Sequence, residues 1–220
     1  MQSHQQERSK YSAAGKPIIM PLSTKAVMML IRQRHVEYFT YPTDPPQASR
    51  GWLAEVYSVP AFAMMGIACV FVQDNHSYSA PAFILRGLHF ETPDRGQDKL
   101  VRCIHGRIYD VAVDVRRGSP TYGQWVGVAL SAENGLQLFL PIGFAHGFVT
   151  LEPDCEVTYK CSDTYAPQHD DGIRWDSVGI DWPILEGITP ELSEKDKVQP
   201  TLAEFDSPFG YDGVPLTPLS

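Results

Sequence analysis

Apolar and polar residues alternate through most of the middle of the chain. Across residues 109–115 one parity reads Tyr109, Val111, Val113 and Val115, while the other carries Asp110 and Asp114. Leu136, Leu138 and Leu140 repeat the same period, which dominates residues 83–160. Turn residues recur at roughly 8–12-residue spacing. The pattern predicts short antiparallel strands assembled into a sandwich or barrel. Between QWVGVAL and LQLFL, the pair Asn134-Gly135 predicts a hairpin. Upstream, the partly β-branched stretch 26–41 predicts a first strand, TDPPQASRG a loop, and CVFVQDN the centre of a second strand. Helical character is confined to TPELSEKDK and TLAEF near the end, ahead of the Pro/Gly-rich segment SPFGYDGVPLTPLS.

The 220 residues are 43% hydrophobic and 20% charged, enough for one well-packed core rather than two. The expected organisation is a leader over 1–24, one domain over 25–205 and a tail over 206–220. A net charge of −8 argues against nucleic acid and anionic membrane as general partners, yet local arginines and lysines can still hold a small anionic ligand. The start, MQSHQQERSK, lacks an apolar signal-peptide core, and the apolar run 61–72 is short of the roughly 20 residues a membrane helix needs. Cys69, Cys103, Cys155 and Cys161 form no CxxC pair, and three lie in strand-like runs. They read as reduced thiols in a cytoplasmic protein.

Three segments concentrate groups able to do chemistry. PAFILRGLHFE carries Arg86, His89 and Glu91; strict alternation puts His89 and Glu91 on the face of Phe83 and Leu85, with Arg86 opposite. A bulge at Gly87 would turn Arg86 inward as well. LPIGFAHGF sets His146 just after a turn, and CEVTYKC gives Tyr159 the parity of Cys155, Val157 and Cys161. Each has an ordinary alternative: core histidines with satisfied hydrogen bonds, and a tyrosine that only packs. Lys99, taken alone, reads as a surface charge.

Taken together and in order, QDNHS, LRGLHF, the run from Lys99 to Tyr165, PIGFAHGF, TYKCSDTYAP, IDWPI and LSEKD resemble the dTDP-4-dehydrorhamnose 3,5-epimerases over residues 50–205. The resemblance implies an all-β double-stranded β-helix, the jelly-roll or cupin barrel, with short C-terminal helices. It also implies a nucleotide-sugar substrate, no cofactor or metal, and a homodimer. His89 matches the catalytic base, Asp196 the carboxylate that orients it, Tyr159 the proton donor on the opposite sugar face, and Lys99 the lysine near the C4 oxygen. His146 matches a second histidine in the barrel mouth. Arg50, Glu55, Gln73, Asn75 and Arg86 match positions holding the nucleotide and its phosphates, and Asp170 and Lys195 further substrate contacts.

The implied chemistry suits these groups. A C4 ketone acidifies the hydrogens on C3 and C5, so inversion needs a base on one face, an acid on the other and positive charge at the enolate oxygen. Three departures from the family pattern are visible: Glu91 replaces an amide, Asp170 a glutamate, and the segment before Arg50 is longer. Two rival activities remain. One is inversion at C3 or C5 alone on another nucleotide sugar. The other is a metal-dependent cupin oxygenase or isomerase using His89, Glu91 and His146. A non-catalytic sugar-binding module would be expected to lack some of His89, Tyr159 and Lys99, and all three are present.

Overall fold

The computed structural model describes residues 29–32, 34–35 and 54–216. The leader expected over 1–24 and Arg50 lie outside the described residues. The chain runs through β1 (Met29–Arg32), β2 (Arg34–His35), β3 (Ala54–Glu55), α1 (Val59–Met64), β4 (Gln73–Ser79) and β5 (Leu85–Glu91). It continues through β6 (Lys99–His105), β7 (Arg107–Asp114), β8 (Trp125–Ser131) and β9 (Leu136–Leu140). Last come β10 (Phe144–Thr150), β11 (Cys155–Cys161), β12 (Asp170–Gly172) and α2 (Glu194–Lys197).

Two five-stranded sheets form, in the orders β1-β9-β6-β11-β4 and β12-β5-β10-β7-β8, while β2 pairs with β3. Every pairing between these strands is antiparallel, and the pairings nest. β7 pairs with β8, β6 with β9, β5 with β10 and β4 with β11. That is one long hairpin rolled into a barrel, the jelly-roll or double-stranded β-helix. Between the sheets lies a core that includes Val101, Ile108, Ala112, Leu130, Leu138, Phe144 and Phe148. A second cluster packs the outer face of the second sheet, where Val111, Val113 and Val115 meet Ile173, Ile180 and Phe209 of the C-terminal segment. Each such side chain contributes about 1.5–3 kcal/mol when fully buried. The expected tail therefore lies on the body as far as the description extends, with Ser207 and Phe209 buried.

In β7 the apolar parity looks out at the C-terminal segment and the acidic parity looks into the barrel. Asp110 and Asp114 are both fully buried. Asp114 is satisfied at the start of the loop to β8: it accepts from Arg116 Nε and Nη2 at 2.9 and 2.7 Å and from Ser119 and Thr121 hydroxyls at 2.7 Å each. Burial alone would push its carboxyl up; these donors hold it below its ordinary value.

Several sequence expectations need correction. Asn134-Gly135 does not join a paired hairpin, because β8 and β9 belong to different sheets. Asn134 Oδ1 instead accepts from the N–H groups of Ser131 and Leu136, making a corner at which the chain changes sheets. The second strand begins only at Gln73, and the helix α1 precedes it. At the C-terminus only Glu194–Lys197 is helical, and TLAEF forms a turn.

The parity expected in β5 is broken where the bulge was expected. Arg86 pairs with Phe148 and His89 with His146, so Gly87 and Leu88 together face the single residue Gly147. Arg86 and His89 consequently share the inner face, while Leu85 pairs with Val149 and leaves it. Gly87 has φ +122°, and a Cβ there would sit 2.6 Å from Gly147 Cα and 2.7 Å from the His146 carbonyl oxygen. Both the conformation and the contact require glycine. Gly87→Ala should therefore destabilise the fold by about 2–4 kcal/mol, read by denaturant unfolding followed through tryptophan fluorescence; a loss within error of zero would remove the bulge from its structural role.

Candidate active site

The barrel opens into a cavity of about 400 Å³ between the two sheets. One wall carries His89 on β5, whose Nε2 lies 2.5 Å from Asp196 Oδ1. The Asp196 side chain is 2% exposed and that of His89 31%, so the carboxylate is sealed behind an imidazole that faces the cavity. Ser193 places the acid: its hydroxyl caps α2 by accepting from Asp196 N at 3.1 Å. Burial alone would raise the Asp196 carboxyl. Hydrogen bonds from His89, from Ser193 and from the Gly87 backbone N–H, with the attraction of His89, hold it below its ordinary value. An ionised carboxylate can only accept, which puts the imidazole proton on Nε2 and leaves the lone pair on Nδ1.

The facing wall belongs to the other sheet. Tyr159 sits on β11 opposite Val101 and Asn75, and Lys99 begins β6 opposite Cys161 and Leu140; both side chains line the cavity. Burial raises the Tyr159 phenol, Cys161, Asp170 and Tyr165 act in the same direction, and Arg86 opposes them. The hydroxyl is thus a proton donor at neutral pH. Burial lowers the Lys99 ammonium, against the nearby acidic groups Cys161, Glu91, Asp170 and Asp110. Lys99, a surface charge when read alone, lines the cavity inside the barrel.

His146 on β10 completes the ring. Its Nε2 lies 2.6 Å from Asp110 Oδ1, with side chains 10% and 0% exposed. Two histidine–aspartate pairs therefore reach the cavity, their histidines on the neighbouring strands β5 and β10 of one sheet. Arg86 lines the same space and donates from Nη2 to Tyr78 O and Ser79 Oγ at 3.3 Å each.

Other candidates sit around this cavity without lining it. Gln73 and Asn75 occupy β4 beside Cys161 and Tyr159, with Gln73 Nε2 donating to Asn75 Oδ1 at 3.1 Å and Asn75 Nδ2 to Cys161 Sγ at 3.5 Å. Asp170 and Lys195 pair at 2.6 Å beside the mouth, where the Tyr165 hydroxyl also donates to Asp170. Glu55 is exposed on β3. Its neighbour Val56 lies on the outer side of the first sheet, where its carbonyl accepts from Gln137. Asp110, Ser77 and the Glu191–Ser193 stretch escaped the sequence reading. The available signal for Asp110 was an acid lodged in the most regular strand of the chain.

The metal-binding alternative does not assemble. Among the described residues no three His, Cys, Asp or Glu side chains converge as a metal site. Glu91 Oε1 is occupied by Gln97 Nε2 and Ala166 N at 3.2 Å each.

Comparison with known proteins identifies the family. The sequence profile of the dTDP-4-dehydrorhamnose 3,5-epimerase family matches residues 37–204. The enzyme of that name from Salmonella typhimurium is 50% identical over 156 residues, covering 70% of this chain and 84% of its own. The one from Sinorhizobium fredii is 49% identical over 164 residues, covering 74% and 83%. A crystal structure of dTDP-6-deoxy-D-glucose-3,5-epimerase from Legionella pneumophila, in complex with dTDP-4-keto-L-rhamnose, superposes with a TM-score of 0.72 at 38% identity over 81% of this chain and 89% of that one. From the profile match and these identities, the chain belongs to the dTDP-4-dehydrorhamnose 3,5-epimerase family.

Proposed function

We propose that this protein epimerises C3 and C5 of dTDP-4-dehydro-6-deoxyglucose, giving dTDP-4-dehydrorhamnose, with groups of its own chain and no cofactor. The observation that carries the reading is the opposition of the two walls: an aspartate-backed imidazole on one sheet, and a protonated phenol with a lysine on the other. His89 Nδ1 takes the proton from the carbon next to the ketone, and the electron pair moves to the C4 oxygen. Lys99 stabilises that oxyanion, with His146 beside it. Tyr159 delivers its proton to the opposite face of the same carbon. His89 then loses its proton to solvent and Tyr159 regains one, so each inversion exchanges the carbon-bound hydrogen with water. Arg86, Arg50, Gln73 and Asn75 hold the nucleotide diphosphate, through charge-assisted contacts from the arginines. Asp170 and Lys195 border the sugar at the mouth.

The assembly we assign is a homodimer. Glu55 is exposed on β3 and does not line the cavity of its own chain, and in this reading it serves the nucleotide bound by a second copy. The compartment is the cytoplasm, a reading supported by the four cysteines, all free thiols.

Incubation with dTDP-4-keto-6-deoxyglucose in D₂O, with deuterium counted by NMR, tests the reading. Label at both C3 and C5 is expected; label at one carbon alone assigns a single-site epimerase instead. Replacing His89 with Ala should abolish exchange at both carbons in a protein that still folds, and wild-type exchange in that variant removes His89 as the base. Tyr159→Phe should separate the two halves of the reaction. The ring still packs, so stability changes by about 1 kcal/mol, and deuterium still enters, but far less inverted product accumulates because no donor remains on the opposite face. Equal losses of exchange and inversion would exclude Tyr159 as that donor. Exhaustive chelation should leave activity intact, since lysine rather than a Lewis acid balances the oxyanion; loss of activity to EDTA with recovery on adding Fe²⁺, Mn²⁺ or Zn²⁺ would overturn this.

A further inference from the structure

Behind Lys99, on the side away from the mouth, the barrel contains a carboxylate that the chemistry above does not use. Glu91 is the last residue of β5, two positions after His89 on the same inner face, and is 5% exposed. Its Oε1 is satisfied by Gln97 and by the Ala166 N–H. Its Oε2 is buried and meets no hydrogen-bond donor among the described residues. Glu91 and Lys99 line one small cavity of about 10 Å³, together with His146. That volume is at the lower limit for one water molecule. No ion pair within 4.0 Å joins them among the described residues, so the carboxylate acts on the ammonium through this space rather than by direct contact.

The groups facing Lys99 differ in what they can supply. On β11, Cys161 is a neutral thiol, because burial raises it above its ordinary value, and Tyr159 is a neutral phenol. On β7 and β10, Asp110 and His146 are bound to each other; on β12, Asp170 holds Lys195. On β5, His89 is tied to Asp196 and Arg86 is a like charge. Asp110 Oδ2, like Glu91 Oε2, is buried without a donor among the described residues. Asp110 has a histidine on its other oxygen, whereas Glu91 meets only the neutral donors Gln97 and Ala166 N–H and shares a cavity with Lys99. An isolated ammonium in such a site would tend to lose its proton.

We propose that Glu91 is a positioning residue that keeps Lys99 as a charged ammonium under the substrate. The role in catalysis rests on the reading of Lys99 given above, but the coupling itself can be measured without substrate. Lysines of the intact protein are reductively methylated with ¹³C-formaldehyde, and the resonance missing from Lys99→Arg is followed through a pH titration. In Glu91→Gln, which preserves the Oε1 acceptor, the Lys99 titration should move down by about one pH unit or more. Glu91→Asp, which keeps the charge, should stay near wild type. If the amide variant does not fold, Glu91→Ser repeats the measurement with a smaller side chain. An unchanged Lys99 titration in a folded, uncharged variant overturns the proposal. The alkaline limb of kcat/KM should fall to lower pH in step with the titration. A titration that moves while the limb stays fixed supports the coupling and overturns the role of Lys99 in catalysis.

Discussion

The close approach of two backbones, at Gly87 of β5 and Gly147 of β10, sets where the other active-site groups can stand. Two residues answer one there, and the phase of β5 changes. Without that change Arg86 and His89 would point to opposite faces. With it, a candidate phosphate-binding guanidinium and the candidate base share one cavity three residues apart. The same glycine donates its N–H to Asp196, so the turn that aims the imidazole also secures the carboxylate behind it. Neither partner tolerates a Cβ: at Gly147 it would lie 2.8 Å from the Arg86 carbonyl oxygen.

Three buried aspartates of the barrel each have a local hydrogen-bond partner. Asp110 has His146, Asp114 has Arg116 with two hydroxyls, and Asp196 has His89 with a helix cap. Breaking the buried Asp114–Arg116 ion pair costs about 3–5 kcal/mol, comparable to a large part of a domain's net stability of about 5–15 kcal/mol. Each aspartate is therefore structural as well as chemical.

Much of this was readable from residue order. Period two announced an all-β barrel, and Gly87 between Arg86 and His89 announced the bulge. The motifs around His89, Tyr159, Lys99 and Asp196 pointed to the groups that line one cavity. What escaped depended on contacts between residues far apart. In β7 both parities are buried, one by the facing sheet and one by the C-terminal segment, so alternation could not say which side is inward. Asp110 was hidden for that reason. The pair Asn134-Gly135 has the local chemistry of a tight turn and makes one, but the register of β8 is set by β7 and that of β9 by β6, so the turn changes sheets. Helix α1 is six residues long and rests on the buried Phe62, too short for its period to show.

The nesting of the strands also has a kinetic meaning. β7 and β8 are neighbours along the chain, whereas β4 and β11 close a loop of some eighty residues, and His89 and Asp196 stand 107 residues apart. Loop closure grows costlier with separation, and folds dominated by distant pairings form slowly. Zipping from the inner hairpin outward builds the core first. The imidazole meets its carboxylate only when the outer pairs have shut, so a nascent or half-folded chain carries no enolising activity toward the cell's carbonyl metabolites.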